Sequence, residues 1–212
     1  MVVTKEQVIA WLERIAAVMQ ENKDYLVELD SAIGDADHGI NMNRGFSKVK
    51  EQLPKLSGGD IGTILKSAGM TLMSSVGGAS GPLYGTFFMR GGMALAAKEE
   101  LDAADLLTLV KSGTEGVLQR GRPNLGDKTM YDVWAPVVQC YEQTAQGNGN
   151  DLLATLEACV KVAEEAMTAT IGMLAKKGRA SYLGERSIGH QDPGATSSFL
   201  ILNALLDTLN SR

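Results

Sequence analysis

The chain has 212 residues, of which 44% are hydrophobic and 21% charged, a balance typical of a globular protein with one domain or two. Its net charge of −5 argues against a nucleic-acid partner, because proteins that bind nucleic acids carry a basic face. No window holds 18 uninterrupted apolar residues and the N-terminus lacks a signal-peptide core, so we expect no membrane span and a cytoplasmic location.

The first helix is predicted from a capping box. Thr4 and Gln7 stand at the spacing at which each side chain bonds the other residue's backbone N–H, and apolar residues then recur at helical intervals to Met19. A short apolar stretch at 25–29 leads into a glycine-containing loop at 34–39. The sequence contains no run of alternating apolar and polar residues long enough to indicate a strand. The chain is therefore predicted to be all-α, with about eight helices.

The loop after the first helical region is unusually acidic. Asp30, Asp35 and Asp37 lie within eight residues, around a glycine turn. Capping and turn chemistry explains one or two of them but not all three, because two carboxylates about 4 Å apart repel by roughly 4 kcal/mol at an effective dielectric near 20. A divalent cation would turn that repulsion into binding, and oxygen ligands favour magnesium or calcium. An EF-hand is excluded, because Phe46 would occupy its bidentate glutamate position.

His38, directly after the aspartates, has two interpretations. The imidazole could ligate a metal, although it is a softer ligand than magnesium prefers. Alternatively, His38 is a turn residue whose backbone or ring contacts a phosphate, and we favour this interpretation. Asn41 and Asn43 would offer amide groups to the same phosphate at the start of the following helix.

Two helices are predicted next. The first runs from about Asn41 to Leu53, where Pro54 should end it, because the residue before a proline disfavours the helical conformation. The second has Asp60 as its N-cap and ends in the small-residue run at 74–82.

This run is rich in glycine. Gly77, Gly78 and Gly81 would let successive backbone N–H groups point at one anion, and Pro82 suits the first turn of the next helix. A Walker loop is excluded, because the Gly-Lys-Ser/Thr ending is missing. Close helix–helix packing is the alternative. The acidic loop favours anion binding, because phosphates and magnesium tend to be bound together.

The second half of the chain is also predicted to be helical. Asp102 and Asp105 resemble a capping pair, and Asp127 resembles a further N-cap. Thr129 and Met130, in the first turn after Asp127, could line a nucleotide pocket, and the alternative is that Met130 belongs to the core. The predicted helices, with a glycine-rich break at 147–150, are 83–98, 103–120, 128–145, 151–176 and 195–210.

The long break at 177–194 combines four glycines with polar side chains. These are Arg179, Arg186, His190 and Asp192. Arginine suits phosphate because its planar guanidinium presents a fork of donors, and loops of this length are more often functional than idle. A solvated surface loop is the alternative interpretation.

Four segments, in this order, resemble the L subunits of dihydroxyacetone kinases: GDADHGINMNRG, SSVGGASGP, GDKTMYDVWAP and GRASYLGERSIGHQDPGA. The resemblance covers nearly the whole chain, which looks like a single L-type domain (1–212) without a fused K domain. It implies an antiparallel barrel of eight helices with the nucleotide at one rim. The chain is thus similar to the free-standing subunit of the bacterial enzyme that draws phosphate from the phosphoenolpyruvate:sugar phosphotransferase system.

The resemblance also implies site residues. Asp30, Asp35 and Asp37 would bind two magnesium ions that bridge to the phosphates, and Arg179 would act in catalysis. The implied site for ADP or ATP comprises His38, Gly39, Ile40, Asn41, Gly78, Ala79, Ser80, Gly121, Thr129, Met130, Arg179, Asp192, Pro193 and Gly194.

The implied reaction involves two other subunits. A histidine-phosphorylated M subunit would rephosphorylate tightly held ADP on this chain, and the γ-phosphoryl group would then pass to dihydroxyacetone held on a separate K subunit. Phosphoryl transfer needs mainly positioning and charge neutralisation, so no Ser-His or Cys-His nucleophile is required, and none is evident. The resemblance further implies a transcription activator as a partner, and we expect a homodimer.

Three alternatives compete with this function. A nucleotide-sensing regulatory protein would bind ADP and transfer nothing. An L-type subunit for another small ketose, or for a fatty-acid kinase, would keep the fold and differ in its acceptor. A metal-dependent phosphohydrolase would release inorganic phosphate from ATP alone.

Overall fold

The computed structural model describes residues 1–147 and 151–211 and is predominantly helical, as predicted. Its α-helices are α1 (Lys5–Glu21), α2 (Lys23–Ile33), α3 (His38–Leu56), α4 (Ile61–Ser75), α5 (Ser80–Ala94), α6 (Ala103–Gly121), α7 (Tyr131–Gly147), α8 (Leu152–Ala169) and α9 (Pro193–Asn210). Short 3-10 helices cover Thr170–Gly172 and Arg179–Ser187, and two-residue strands β1 (Val3–Thr4) and β2 (Glu100–Leu101) pair antiparallel. Among these residues, no helix has the length and hydropathy needed to cross a membrane.

Three N-caps predicted from the sequence are confirmed. Thr4 Oγ1 accepts the Gln7 N–H at 3.3 Å while the Gln7 side chain accepts the Thr4 N–H at 3.0 Å, which is the capping box of α1. Asp60 caps α4, and Asp102 and Asp105 form a reciprocal box at the start of α6. Each cap joins residues three positions apart, so it needs no distant partner to form.

The helices on either side of the acidic loop differ from the prediction. Residues 25–29, for which the sequence indicated only a short apolar stretch, belong to a complete helix, α2, that Asn22 separates from α1. Helix α3 begins at His38 rather than Asn41 and continues past Pro54. The prediction that Pro54 ends the helix is wrong, because a proline in the last turn removes only one hydrogen bond.

The helix that follows the Asp127 turn begins at Tyr131, and Asp127 is not its N-cap as predicted. The Asp127 carboxylate instead accepts the backbone N–H of Asn124 at 2.8 Å. Gly126 and Lys128 have φ angles of 83° and 63°. A helix cannot begin with residues in this left-handed region, so α7 starts later than its sequence pattern indicated.

Other helix boundaries are also shifted. Helix α5 starts at Ser80, earlier than predicted, and has Pro82 in its first turn as expected. Helix α8 ends at Ala169 and gives way to a 3-10 turn, so the predicted helix to residue 176 is too long. The break predicted at 147–150 lies mostly outside the described residues.

Eight of the described helices form a closed circuit of packing. In chain order, α3 to α9 each pack against the next helix, α9 packs against α1, and α1 packs against α3. Helix α2 lies against α3 and α9. Four connections converge around one cavity, namely α2–α3, α4–α5, α6–α7 and α8–α9.

The core between the helices contains a chain of aromatic rings. Phe87 lies between Phe88 and Trp134, with ring centroids 5.5 Å and 4.4 Å away. Helices α4 and α5 approach so closely that a Cβ at Gly69 would lie 2.6 Å from the Gly85 carbonyl oxygen. Glycine is therefore required at this crossing, which holds the glycine-rich α4–α5 connection in place.

Candidate functional site

The cavity has a volume of about 300 Å³ and is enclosed by the four convergent connections and the start of α9. Most of the site residues expected from the sequence lie in its wall. These are Asp30, Asp35, Asp37, His38, Gly78, Ala79, Ser80, Gly121, Thr129, Met130, Arg179, Asp192, Pro193 and Gly194.

Three residues of the nucleotide site implied by the resemblance lie outside this wall, as far as the described residues define it. Gly39 packs against α2, where a Cβ would overlap the Lys23 carbonyl oxygen. Ile40 is 50% exposed, and Asn41 is buried and accepts a hydrogen bond from Arg44 at 2.6 Å. These three residues therefore face α2, solvent and Arg44 rather than the cavity.

The acidic loop brings its three carboxylates together. One oxygen each of Asp30, Asp35 and Asp37 lies within 4.8 Å of the others. Asp30 lies on the buried face of α2, while Ala36, with φ of 62°, turns the chain so that the other two aspartates face the same space. Three hard oxygen ligands at this spacing fit a divalent cation such as magnesium.

The three carboxylates differ in their hydrogen-bond and ion-pair partners within the protein. Asp30 Oδ2 accepts the N–H groups of Asp37 at 2.8 Å and His38 at 3.1 Å, so the capping explanation holds for this one oxygen. Asp37 occupies the N-cap position of α3, yet its side chain accepts no capping bond from the described chain. Asp35 Oδ2 lies 3.0 Å from Nη2 of Arg179. Capping alone therefore does not account for the cluster.

His38 is buried with both ring nitrogens engaged. Its Nε2 lies 2.9 Å from Ser197 Oγ, and its Nδ1 lies 3.1 Å from Ser80 Oγ. Burial lowers the pKa of His38 to about 4, although Asp30 and Asp37 oppose the shift, so the ring is neutral near pH 7. Metal ligation by the ring is disfavoured because the two serines occupy both nitrogens.

A Ser-His pair was not evident in the sequence. Ser80 and His38 do form one, but the other imidazole nitrogen meets Ser197 rather than a carboxylate, so the pair lacks the orienting acid of a hydrolytic triad. Tyr84 continues the network, with its hydroxyl 2.6 Å from Ser197 Oγ and donating to the Gly194 carbonyl at 2.9 Å. The network joins α3 and α5 to the start of α9.

The start of α5 has features that suit an anion. Ala79 stands at the N-cap and makes no side-chain capping bond within the described chain, so the N–H groups of the first turn are left for a ligand. Gly78 precedes it with φ of 63°, a conformation that glycine adopts without strain. Both residues line the cavity beside the acidic cluster.

An apolar wall completes the cavity. Leu83, Val117 and Pro123, which the sequence analysis did not single out, line it together with Met130. Met130 is 4% exposed, so it belongs to both the core and the cavity wall, and the two interpretations of this residue are compatible. It precedes α7 rather than standing in its first turn. Such a surface fits the flat face of a nucleobase.

The segment between α8 and α9 contributes unevenly to the cavity. Arg179 lines it with a side chain that is 69% exposed, next to Asp35. Arg186 and His190 are exposed and lie outside the described lining, so the solvated-loop interpretation applies to them. Asp192 is buried and caps α9 by accepting the Ala195 N–H at 2.7 Å.

The ionisation of Asp192 should couple stability to pH. Burial raises its pKa to about 7, and Asp132 and Asp30 add to the shift while the Ala195 N–H and Lys128 oppose it. The unfolded carboxyl ionises at pH ~4. Between about pH 4 and 7 the folded state therefore holds the extra proton, and the free energy of unfolding falls as the pH rises through that window.

Asp192→Asn is expected to remove this dependence, because the amide oxygen can still accept the Ala195 N–H but the side chain cannot ionise. The free energy of unfolding of Asp192→Asn should be close to that of wild type near pH 4. Above pH 7 it should exceed that of wild type by as much as about 4 kcal/mol. Urea unfolding at pH 4.5 and pH 8, without magnesium or nucleotide, measures it. An equal difference at both pH values would contradict the assignment.

Comparison with known proteins identifies a matching family and several relatives. Residues 32–207 match the DAK2 domain family. The chain is 53% identical to the PEP-dependent dihydroxyacetone kinase, ADP-binding subunit DhaL, of Escherichia coli (strain K12), over 97% of both chains. It is 44% identical to the PTS-dependent counterpart of Lactococcus lactis, over 97% of this chain and 98% of that one.

A solved structure shares the fold. The dihydroxyacetone kinase from C. freundii, in complex with AMP-PNP and Mg2+, superimposes on 94% of this chain with a TM-score of 0.69 and 23% sequence identity. This chain spans 33% of that kinase.

Proposed function

Because the chain belongs to the DAK2 domain family, we propose that it is the ADP-binding subunit of a phosphoenolpyruvate-dependent dihydroxyacetone kinase. It is a phosphotransferase that works as one subunit of a multi-subunit enzyme. The observation that carries the proposal is the convergence of three carboxylates and the uncapped start of α5 on one cavity. A cavity with both features suits a nucleotide that arrives with magnesium.

Each part of the cavity would receive one part of ADP or ATP. Asp30, Asp35 and Asp37 would hold two magnesium ions, which supply positive charge to the phosphates. The first turn of α5, at Ser80, would donate N–H groups to a phosphate, and the apolar wall beside Met130 would take the base. The remaining residues implied by the resemblance stay predictions.

Arg179 would act on the phosphoryl group that is transferred. Its guanidinium lies beside Asp35 and is largely exposed, so it can turn from the carboxylate towards a phosphate. A fork of donors stabilises charge that builds up on the equatorial oxygens during transfer. Exposure of this group fits a reaction in which the donor and the acceptor each reach the nucleotide from another subunit.

The proposal extends to partners and architecture. A phosphohistidine-carrying M subunit would phosphorylate the bound ADP, and a K subunit would present dihydroxyacetone. The closed circuit of eight helices supports an antiparallel barrel with the nucleotide at one rim, in a single domain from 1 to 212. The homodimer, the transcription activator as a partner, the absence of a nucleic-acid partner and the cytoplasmic location stay predictions.

Two measurements test the function. Native mass spectrometry of the purified chain should detect ADP with two magnesium ions. Adding purified K and phosphorylated M subunits should then yield dihydroxyacetone phosphate. ADP binding without transfer would favour the regulatory protein, transfer to another ketose would revise the acceptor, and phosphate release from ATP alone would indicate a phosphohydrolase.

Gly34→Ala should weaken magnesium binding by about tenfold or more, because a Cβ at this position would overlap Asp30 Oδ1 and displace that carboxylate. Helical content should be unchanged, since Gly34 follows the end of α2. Calorimetric titration with magnesium and ADP measures the effect. Gly58→Ala is the matched control, as no described atom lies within 4 Å of a Cβ added there. Equal affinities in both variants would show that Asp30 is not a ligand.

A further inference from the structure

Lys128 is a buried lysine in the cavity wall that the proposed chemistry does not use. It is 1% exposed, whereas lysine is almost never fully buried unless it is paired. Its backbone φ of 63° lies in the left-handed region, which side chains other than those of glycine, asparagine and aspartate rarely adopt. Both features suggest that the side chain has a specific task at this position.

The ammonium group of Lys128 is fully engaged by backbone carbonyls. It donates to the carbonyl oxygens of Met173 at 3.2 Å and Ser187 at 2.7 Å, and also to that of His190. An ammonium group has three hydrogens, and three acceptors are in place. None is left over for a phosphate, so Lys128 is not a nucleotide ligand despite its location.

All three carbonyls belong to one segment, residues 173–190, which we call the strap. The strap carries Arg179 and adjoining cavity-lining residues between α8 and α9. Its two ends are tied to each other, since the Ala175 N–H donates to Ser187 Oγ at 2.9 Å. A backbone bond from Lys176 to the Asp127 carbonyl, at 3.1 Å, lies directly beside Lys128. Lys128 thus joins the α6–α7 connection to both ends of the strap.

We propose that Lys128 is a positioning residue that latches the strap over the cavity and thereby slows release of the bound nucleotide. The inference rests on the proposed nucleotide site. Removing the ammonium group would leave three carbonyls without their donor, including the buried carbonyl of Ser187, so the closed strap would lose stability relative to an open one. Arg179 would then leave the cavity wall together with the strap.

Dissociation of a fluorescent ADP analogue, mant-ADP, in the presence of magnesium tests the latch. Lys128→Ala should release it about ten- to a hundredfold faster than wild type does. Lys176→Ala is the matched control, because it removes an exposed lysine from the same strap and keeps its backbone bond. Hydrogen exchange should rise within residues 173–190 and stay unchanged in α4 and α5.

Chemical rescue separates a latch from simple packing. n-Propylammonium has the shape and charge of the side chain that Lys128→Ala removes, whereas 1-propanol has the shape without the charge. Slow release should return with n-propylammonium and not with 1-propanol, and equal rescue by both would overturn the proposal. If Lys128→Ala loses helical circular dichroism, Lys128→Met carries the release and exchange measurements instead, because it keeps the side-chain volume and lacks the charge, and unchanged release and exchange in it would overturn the proposal.

The outcomes distinguish failure of the Lys128 latch from failure of the proposed function. Wild-type protein that fails to bind mant-ADP would refute the proposed function, while the exchange measurement, which needs no nucleotide, would still test the latch. Wild-type protein that binds mant-ADP, with unchanged release and unchanged exchange in Lys128→Ala, would refute the latch alone.

Discussion

Asp37→Ala is expected to reduce magnesium-dependent ADP affinity by more than about a hundredfold while leaving the fold intact. Loss of an outer-shell partner commonly costs a metal site ten- to a hundredfold, and Asp37 would be a direct ligand. The carboxylate accepts no capping bond in the described chain, so its removal does not uncap α3. It also relieves repulsion from Asp30 and Asp35, whose oxygens lie within 4.8 Å.

The measurement is calorimetric titration of ADP with and without magnesium, next to urea unfolding without metal. Stability without metal should be equal to that of wild type or slightly higher. Asp24→Ala removes the same charge from an exposed position on α2 and should leave the affinity unchanged. Undiminished ADP affinity in Asp37→Ala would remove the basis of the metal assignment.

Arg179→Ala is expected to slow phosphoryl transfer by about a hundred- to a thousandfold with little change in stability. Preorganised donors that meet charge in the transition state commonly contribute that much. The ion pair with Asp35 joins two side chains that are 69% and 34% exposed, and exposed pairs contribute at most about 1 kcal/mol. The effect on the rate should therefore far exceed the effect on folding.

Single-turnover transfer from the M subunit to ADP on this chain measures the rate, and urea unfolding measures the stability. Arg186→Ala is the matched control, because it removes an exposed arginine from the same strap outside the described cavity lining. Arg179→Lys should recover only part of the rate, since lysine keeps the charge and loses the fork of donors. Full activity of Arg179→Ala would exclude a catalytic role.

Features built from neighbouring residues were predictable. The caps at Thr4, Asp60 and Asp102 depend on side chains and N–H groups three positions apart, and the structure contains all three. Asp127 has the same kind of sequence pattern, but the prediction that it caps a helix was wrong. Lys128 adopts a positive φ angle, so no helix can begin directly after Asp127. The tertiary contacts of the Lys128 ammonium group accompany that conformation, and no local pattern indicates them.

The sequence by itself determined the helical character of the chain and the acidic cluster, because eight consecutive residues with one tight turn bring their own carboxylates together. Tertiary structure alone decided the rest of the cavity. The contact between His38 and Ser197 spans 159 positions, and the one between Lys128 and His190 spans 62. Such contacts form only when distant helices pack, because the free energy that holds them comes from burial of the whole core rather than from any local segment.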